Sequence, residues 1–347
     1  MSAPLLSLCI PTNGIVSLVF PVLESIYCQD DVDLTLFEVI VMDNGDNKAF
    51  KSQIREFAKQ HGNLVYRETA SQGFLGEGEC YRVASGTFVK FINHRTKLLP
   101  HAISYFIDFI GQNEAERPCV YFSNGVIKQI EGFAEYADFD SYVKNLHVWS
   151  SWSTGMGFWK DDFDRIPKDT DFNELFPHTT VLFAERNKSK YIIDNTHLLD
   201  EINVGHANKG RYNLFHAFAV EYPGIICDLL RDGSISAETF LSIKKDNFKF
   251  VAGLYLDFVV LKQKCSYDLS GCRQALEVFF NYKNVKRKAF TLLCARVVKL
   301  PFKIVRLARK FVTMYCSVRK YGGGGGYKRK VVSGKYVFRV SLRGAAA

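Results

Sequence analysis

The chain has 347 residues, 47% of them hydrophobic, which is enough to bury a full catalytic core and a smaller appendage. Its formal net charge of +9 is unevenly spread, because the residues from Asn281 onward hold 18 Lys and Arg and no Asp or Glu. The sequence has no apolar run of the roughly 20 residues that cross a bilayer, no P-loop, no Ser-His-Asp pattern and no paired Cys-x-x-Cys, which argues against membrane-spanning proteins, NTPases, serine hydrolases and zinc proteins.

The first predicted elements form a strand-helix-strand unit in which each strand ends in a polar turn. An apolar run over residues 6–10 precedes Pro11-Thr12-Asn13, and a second run over 37–42 precedes Asp43-Asn44. Residues 16–27 between them have apolar side chains at helical spacing. Such crossovers are right-handed, so both turns are expected to share one pocket at the carboxyl edge of a parallel sheet. Ordinary turn chemistry is the alternative explanation of either cluster.

The alternation of helices and strands continues along the chain. The pattern predicts a helix over 47–61, a strand over 64–66, a Gly-rich loop over 72–78, a strand over 87–92, and a helix that starts near residue 98 and runs through 110. The strand over 87–92 ends in Asn93-His94-Arg95, a third polar cluster at a strand end.

Four motifs in this order resemble the family 2 glycosyltransferases of the GT-A fold, over about residues 5–110. They are Ile10-Pro11-Thr12-Asn13, Val41-Met42-Asp43-Asn44-Gly45, Ser71-Gln72-Gly73-Phe74-Leu75-Gly76 and the segment from Ala84 to Pro100. The resemblance implies an α/β fold with a mostly parallel, Rossmann-like sheet flanked by helices. It also implies a nucleotide-sugar pocket lined by Pro11, Thr12, Asn13, Asp43, Asn44, Gly73, Asn93 and His94.

One departure from the family pattern bears on mechanism. The family's Asp-x-Asp, which binds a divalent cation between the phosphates of the donor, falls here on Asn93-His94-Arg95. Carboxylates suit Mg²⁺ or Mn²⁺, whereas a guanidinium binds phosphate directly. We therefore expect Arg95, with His94, to neutralise the diphosphate without a metal. A metal-dependent enzyme, with Mg²⁺ or Mn²⁺ as cofactor, and a chain that has lost catalysis are the alternatives.

Residues 119 to 186 are expected to form the part of the site that binds the sugar acceptor. A buried strand is predicted over 119–122, and residues 149–159 contain all three tryptophans. An inverting transfer needs a general base, and His178 fits by residue type, with Glu174 as second choice. Pro177 separates the two and is expected to begin a helix. The alternative for His178 is a packed residue beneath the tryptophan-rich segment.

Two further polar segments are weaker candidates. The acidic group Asp161-Asp162-Phe163-Asp164 is interpreted as a solvated helix turn rather than a metal site. The Gly-flanked segment 205–211 carries Lys209 and Arg211, which a mobile loop of the resembling enzymes would place over the donor phosphates. Loops of this composition are also common without a function.

The C-terminal segment predicts a contact with anionic membranes. Residues 284–321 combine apolar residues at helical intervals with recurring Lys and Arg, which is typical of a helix lying in the lipid headgroup plane. Residues 322–347 are a Gly-rich linker and basic tail. Packing of this helix on the acidic body is the main alternative, and nucleic acid is not an expected partner because no stacking or base-reading motif is present.

These features together predict the organisation and role of the chain. A GT-A domain is expected over residues 1–225 and a helical extension over 226–283. Nine scattered cysteines and the lack of a signal peptide suggest a cytoplasmic protein on the inner face of the membrane. We expect it to transfer a sugar from a nucleotide sugar to a lipid-linked or other membrane-linked glycan of a surface polysaccharide. The alternative is an inactive GT-A-like binding or scaffold protein.

Overall fold

A single large sheet organises the computed structural model, which describes residues 3–203, 205 and 210–298. The strands are β1 (Leu6–Thr12), β2 (Phe37–Asp43), β3 (Leu64–Glu68), β4 (Phe88–Phe91), β5 (Thr96–Leu98), β6 (Cys119–Phe122), β7 (Phe133–Tyr136), β8 (Met156–Trp159), β9 (Tyr191–Asp194) and β10 (Leu199–Glu201). Eight of them form the sheet in the order β3-β2-β1-β4-β8-β6-β9-β7, and β5 pairs with β10. Strands β1 to β4 are parallel, β8 runs against β4 and β6, and β7 runs against β9.

Helices cover both faces of this sheet. They are α1 (Val16–Tyr27), α2 (Lys48–Gln60), α3 (Gly76–Val83), α4 (Ala102–Asn113), α5 (Phe139–Leu146), α6 (Lys160–Asp164), α7 (Pro177–Leu182), α8 (Leu214–His216), α9 (Tyr222–Arg231), α10 (Ala237–Leu254) and α11 (Cys272–Phe279). Single π-helical turns follow α8 at Ala217–Glu221 and α10 at Tyr255–Val260. Residues 282–298 are also helical.

The central strands are mostly apolar because both of their faces are covered. On one face, alternate residues of β1 such as Leu6, Leu8 and Ile10 join a core cluster with buried side chains of α1, α2 and α4. On the other face α3 packs against β1 and β2 and buries Cys80 and Tyr81. This packing on both faces fixes where the strands end along the sheet. It therefore also fixes the positions of the turns that follow them.

The predicted helix over 47–61 is confirmed as α2, with the side chain of Asn47 accepting hydrogen bonds from the backbone of Ala49 and Phe50. The helix expected from residue 98 is wrong at its start. Residues Thr96–Leu98 form β5, and α4 begins only at Ala102. The partner that makes 96–98 a strand is β10, about a hundred residues further along the chain, so no local pattern indicates it.

After β10 the described chain is mainly helical, and it divides at residue 292. The first unit runs to Leu292, and the predicted boundary at 225 falls inside α9. The second unit begins at Leu293, and its part within the described residues is 293–298. The rest of the predicted amphipathic helix and the basic tail lie outside the described residues. Among the helices that the structure describes, none is long and apolar enough to cross a membrane.

Candidate functional site

The turns after β1 and β2 meet at the carboxyl edge of the sheet. Thr12 and Asp43 are register partners, and the backbone N–H of Asn44 donates to the carbonyl of Thr12 at 3.0 Å. A Cβ added at Gly45 would lie 2.2 Å from the carbonyl oxygen of Asn13. Only glycine allows this approach, so the two turns are in direct contact at the sheet edge.

The carboxylate of Asp43 is buried and held in one orientation. It is 1% exposed. Its Oδ1 accepts from the backbone N–H of Gly45 at 2.8 Å, and its Oδ2 accepts from the Tyr66 hydroxyl at 2.9 Å. Burial, together with this carboxylate, raises the pKa of Tyr66 well above its usual range. Each carboxylate oxygen keeps a second lone pair, so Asp43 is able to accept a further bond from a ligand.

The Gly-rich loop is attached to this pocket through Asn44. The Asn44 side-chain amide donates to the carbonyls of Ser71 and Gly73, both at 3.1 Å. Gly73 has a φ of 56°, a left-handed conformation that glycine adopts freely. The Gly-rich loop is therefore held next to the turn after β2 by the side chain of Asn44, which belongs to that turn.

The third polar cluster reaches the first turn through His94. The Nδ1 atom of His94 lies 3.0 Å from the Thr12 hydroxyl, which accepts from the backbone N–H of Gly14 at 3.1 Å. Burial, and to a lesser extent the charge of Arg95, lowers the pKa of His94 to about 4. The imidazole is thus neutral at physiological pH. The Thr12 hydroxyl therefore bonds to both the Gly14 backbone and the imidazole of His94.

Arg95 is held at the end of β4 by an ion pair. Its Nε donates to Oε1 of Glu201 at 3.2 Å, and its carbonyl accepts from the backbone N–H of Ile202 at 2.8 Å. The side chain is 20% exposed, so the guanidinium is partly accessible at the pocket edge. Glu201 was missed in the sequence because it becomes a neighbour of Arg95 only when β10 pairs with β5.

The cluster after β4 does not fit a divalent cation. It supplies an amide, an imidazole whose Nδ1 contacts Thr12, and a guanidinium, where Mg²⁺ or Mn²⁺ prefers carboxylate oxygens. In addition, Asn93 uses its side-chain oxygen to accept from the backbone N–H of Arg95 at 3.2 Å. Within residues 3–203, 205 and 210–298, no group of three or more His, Cys, Asp or Glu is arranged to hold a metal ion.

The segment predicted to close over the phosphates is described only in part. Lys209 lies outside the described residues, and Arg211 is exposed. The neighbouring Tyr212 packs its ring against Phe74 of the Gly-rich loop, with ring centroids 5.7 Å apart. Pro11 lies within β1, one residue before Thr12. The backbone next to Arg211 therefore lies close to the Gly-rich loop, which Asn44 holds in place.

His178 lies in the packed interior. Helix α7 begins at Pro177 as predicted, and His178 in its first turn is 2% exposed. Its Nε2 donates to the carbonyl of Ser150 at 3.1 Å, and burial lowers its pKa to about 4. Ser150 belongs to residues 147–155, which we call the Trp loop. The placement favours the alternative in which His178 is a packed residue beneath that loop.

Glu174, in contrast, is exposed and lines a cleft of about 1300 Å³. The cleft lies between the segment 162–188 and the helices that begin at α8. The neighbouring Asn173 fixes the backbone here, since its side-chain oxygen accepts from the N–H groups of Leu175 and Phe176 and its amide donates to Glu221 at 2.5 Å. The Glu174 carboxylate therefore borders an open cleft whose lining does not include Thr12, Asp43 or Arg95.

The interpretation of the acidic group 161–164 as solvated is wrong for one member. Asp162 is 4% exposed and pairs with both Arg165 and Lys188. Lys188 also donates to the carbonyl of Arg117 at 2.9 Å, so Asp162 helps to join α6 to the start of β6. Lys188 is distant from Asp162 in sequence, which explains why the local pattern did not reveal this ion pair.

Comparison with known proteins identifies the fold. No protein-family model and no curated protein matches the sequence. Among solved structures, S. aureus TarS 1–349 in complex with UDP-GlcNAc aligns with a TM-score of 0.51 and 14% identity, covering 79% of this chain and 80% of that chain. The mannosyltransferase PcManGT from Pyrobaculum calidifontis, in complex with GDP-Man and Mn²⁺, aligns with a TM-score of 0.48 and 16% identity over 92% of this chain and 83% of that chain.

Other alignments are shorter. This chain covers 65% of a further TarS 1–349 structure and 43% of the longer TarS chain, so it spans less than half of that polypeptide. The chain described here has the GT-A fold, an α/β architecture with a large, mostly parallel sheet flanked by helices, as the sequence motifs predicted.

Proposed function

We propose that the chain is a glycosyltransferase that moves a sugar from a nucleotide sugar to a glycan acceptor. The observation that carries the proposal is the meeting of the buried Asp43 carboxylate with the Thr12 and His94 pair at one sheet edge. Ligands of open α/β sheets bind at this edge. The printed titles of TarS and PcManGT, which share the architecture, name complexes with UDP-GlcNAc and GDP-Man.

In this proposal Asp43 recognises the nucleoside. Its carboxylate is fixed by Gly45 and Tyr66 and accepts a hydrogen bond from the base or the ribose. Thr12 and Asn13 line the same pocket, and Asn44 holds the Gly-rich loop against it. These contacts pre-organise the binding site, so little side-chain freedom is lost when the nucleotide enters.

Arg95 stabilises the departing diphosphate. The guanidinium lies at the end of β4, carries a permanent charge and presents N–H groups in a fork that matches phosphate oxygens. Arg211 and Lys209 supply further positive charge from the neighbouring segment. Since the cluster after β4 does not fit a divalent cation, the charge that develops on the leaving group is balanced by these side chains.

Glu174 acts as the general base in this mechanism. It takes the proton from an acceptor hydroxyl as that oxygen forms a bond to the anomeric carbon. The bond between the anomeric carbon and the phosphate oxygen breaks, and the nucleoside diphosphate leaves with the electron pair. Attack from the face opposite the leaving group inverts the anomeric centre, as the family resemblance implies.

The basic C-terminal segment brings the enzyme to a membrane-linked acceptor of surface polysaccharide synthesis. In its described part, Phe290, Val297 and Val298 are at least 60% exposed among Lys and Arg. Basic amphipathic helices bind anionic lipid by charge and apolar contact together. Flotation with anionic vesicles and absence of flotation with neutral vesicles is expected, and absence of binding to both contradicts this step.

The altered cluster after β4 is the one observation that favours an inactive binding protein instead. Incubation of the purified chain with UDP-, GDP-, dTDP- and CDP-sugars, with binding and hydrolysis both measured, separates the two functions. Binding with turnover of one donor supports the transferase. Binding without turnover supports the inactive protein, and absence of binding to all of them contradicts both.

A further inference from the structure

The Trp loop stands at the same sheet edge as the pocket. The loop leads directly into β8, which runs antiparallel to β4 with Lys90 opposite Gly157. The start of β8 therefore lies beside the end of β4, and the cluster Asn93-His94-Arg95 follows that end. Along the edge, the order of strands is β2, β1, β4 and β8, so the Trp loop comes next after the residues proposed to hold the diphosphate.

Buried polar side chains from four different elements hold the backbone of this loop. Lys90 donates to the carbonyls of Thr154 at 2.7 Å and Met156 at 3.1 Å. The remaining contacts are from the Tyr121 hydroxyl to the carbonyls of Trp149 and Trp152 at 2.6 Å, from His178 to Ser150 at 3.1 Å, and from Tyr222 to His147 at 2.8 Å. All four side chains are at most 2% exposed.

Burying these polar side chains lowers the free energy of unfolding unless their hydrogen bonds to the loop compensate. We therefore infer that the position of the loop matters. Burying an amine and an imidazole disfavours their charged forms, and burial lowers the pKa of Lys90 to about 7. The loop is further fixed at Gly155, where an added Cβ would lie 2.1 Å from the ring of Tyr121. Conformational freedom at the tip is thereby removed before any ligand arrives.

The rigid loop presents one aromatic ring to solvent. Trp152 is 39% exposed, and Trp149 supports it edge-to-face with ring centroids 4.2 Å apart. No residue from 148 to 159 is charged, including Ser153 and Thr154, the next two residues of the chain after Trp152. An exposed, pre-ordered indole among uncharged polar groups matches a ligand that has both an apolar face and neutral hydroxyls.

We propose that Trp152 stacks on a neutral pyranose ring of the acceptor glycan, next to the hydroxyl that receives the sugar. This inference rests on the proposed function and deepens it. The acceptor is assigned rather than the donor, because the loop lies beyond the diphosphate position in the order of strands. A uronic or phosphorylated ring is disfavoured, because residues 148–159 supply no cation to balance its charge.

The test uses the full chain and the variants Trp152→Ala and Trp152→Phe. The matched control is Phe133→Ala, since Phe133 is 63% exposed on β7, at the far end of the sheet. Maltotriose, mannotriose and chitotriose serve as probes, and their binding is followed by quenching of tryptophan fluorescence and by calorimetry. Thermal unfolding of every variant confirms that it is folded.

The expected result is saccharide binding that weakens about tenfold in Trp152→Ala, less in Trp152→Phe, and not in Phe133→Ala. The affinity for UDP- and GDP-sugars stays within about twofold of the unchanged chain. Equal saccharide binding by Trp152→Ala and the unchanged chain, or binding of none of the three probes, overturns the proposal. A loss of nucleotide-sugar affinity in Trp152→Ala also overturns it, because the ring would then belong to the donor site.

Failure of the proposed function gives a different pattern. In that case no nucleotide sugar binds or turns over, while Trp152-dependent saccharide binding is still measurable by fluorescence. If a donor is turned over, the same variants are compared as transferases. Trp152→Ala then raises the KM for the trisaccharide about tenfold and leaves the rate of donor hydrolysis by water unchanged.

Discussion

The proposed nucleotide site and the Trp loop lie side by side at one edge of the sheet, but different contacts hold them. In the pocket, Thr12, Asp43 and Asn93 each accept from a backbone N–H two residues further along the chain. In the Trp loop the bonds from Tyr121 span 28 and 31 residues, and those from Lys90 span 64 and 66. Local bonds thus close each turn of the first region, and Asn44, Tyr66 and His94 then join the turns to distant residues. The second region is held mainly by bonds from distant buried polar groups.

The difference indicates how each region responds to change. A substitution in the pocket removes a ligand contact and leaves the fold largely intact, because each turn is short and self-contained. A substitution beneath the Trp loop leaves buried carbonyl groups unpaired or forces packed rings apart, so it lowers the free energy of unfolding.

The largest expected effect is on turnover in the pocket. Arg95→Ala removes the charge at the end of β4 and is expected to lower kcat by about 100- to 1000-fold, the usual loss for one group that stabilises a leaving charge. Arg95→Lys restores part of the rate because it keeps the charge without the fork. The readout is kcat with the donor identified in the nucleotide-sugar screen.

The control for this prediction is Arg55→Ala, whose side chain is 58% exposed in its ion pair with Glu68. Its kcat is expected to equal that of the unchanged chain. Activity in EDTA should also persist, since the cluster after β4 does not fit a cation. Complete loss in EDTA with rescue by Mn²⁺ would show that a metal, and not Arg95, neutralises the diphosphate.

The second effect concerns the stability of the Trp loop. Gly155→Ala places a Cβ into the ring of Tyr121 and is expected to lower the free energy of unfolding by about 3 kcal/mol. Urea unfolding measures the change. Gly253→Ala is the matched control, because a Cβ there has no atom within 4 Å and the residue lies inside α10. If both variants unfold alike, the packing of the loop on Tyr121 is not what stabilises it.

The third effect is a loss of nucleotide affinity without a change in the free energy of unfolding. Asp43→Asn keeps the shape but replaces a charged acceptor, so nucleotide affinity is expected to fall by about 30-fold, or about 2 kcal/mol. Titration calorimetry measures this loss, and thermal unfolding checks the fold. Asp46→Asn, an exposed neighbour in the same turn, is expected to bind as the unchanged chain does. Equal affinity of the two variants would remove Asp43 from the nucleotide site.

The fourth effect is a pH dependence of the free energy of unfolding that arises at Glu77. Glu77 lies at the start of α3 and is 4% exposed, and burial raises its pKa to about 8 from an ordinary value of 4.5. Between pH 4.5 and 8 the folded chain keeps a proton that the unfolded chain has lost. The stabilisation is therefore complete below pH 4.5 and is lost as the pH rises through 8, by at most about 1.4 kcal/mol per pH unit.

Glu77→Gln removes this dependence. Urea unfolding at several pH values between 5 and 8 is expected to show a flatter slope for the variant than for the unchanged chain. Glu79→Gln provides the comparison on the same helix, since Glu79 is 43% exposed and pairs with Arg82 at the surface. Parallel slopes for Glu77→Gln and the unchanged chain would mean that Glu77 is ionised in the fold.

Much of the first hundred residues is predictable from sequence for a physical reason. Asp43 and Asn44 follow a strand whose apolar residues specify burial on both faces, and the crossover rule brings that strand end to the end of β1. Tyr66, which donates to Asp43, was missed although it ends the apolar part of β3. An aromatic with a polar tip at a strand end was the signal that pointed to it.

Beyond Cys119 the sequence predicts where helices and strands begin better than it predicts which side chains are buried. Pro177 correctly marks the start of α7, because proline suits the first helical position. Whether His178 faces a cleft or the interior depends on the path of the Trp loop, which is set by Lys90, Tyr121 and Tyr222 from other elements. The same is true of the buried Asp162, whose partner Lys188 is 26 residues away.

The sequence by itself determined the α/β class, the GT-A-like order of motifs and the turns that carry Thr12, Asp43 and Asn93, because burial pattern and turn preference act over a few neighbouring residues. Only the tertiary structure decided that Arg95 pairs with Glu201, that His178 is buried and that Trp152 is held outward. These outcomes depend on which distant groups satisfy the hydrogen bonds of buried polar atoms, and chain folding alone brings those groups together.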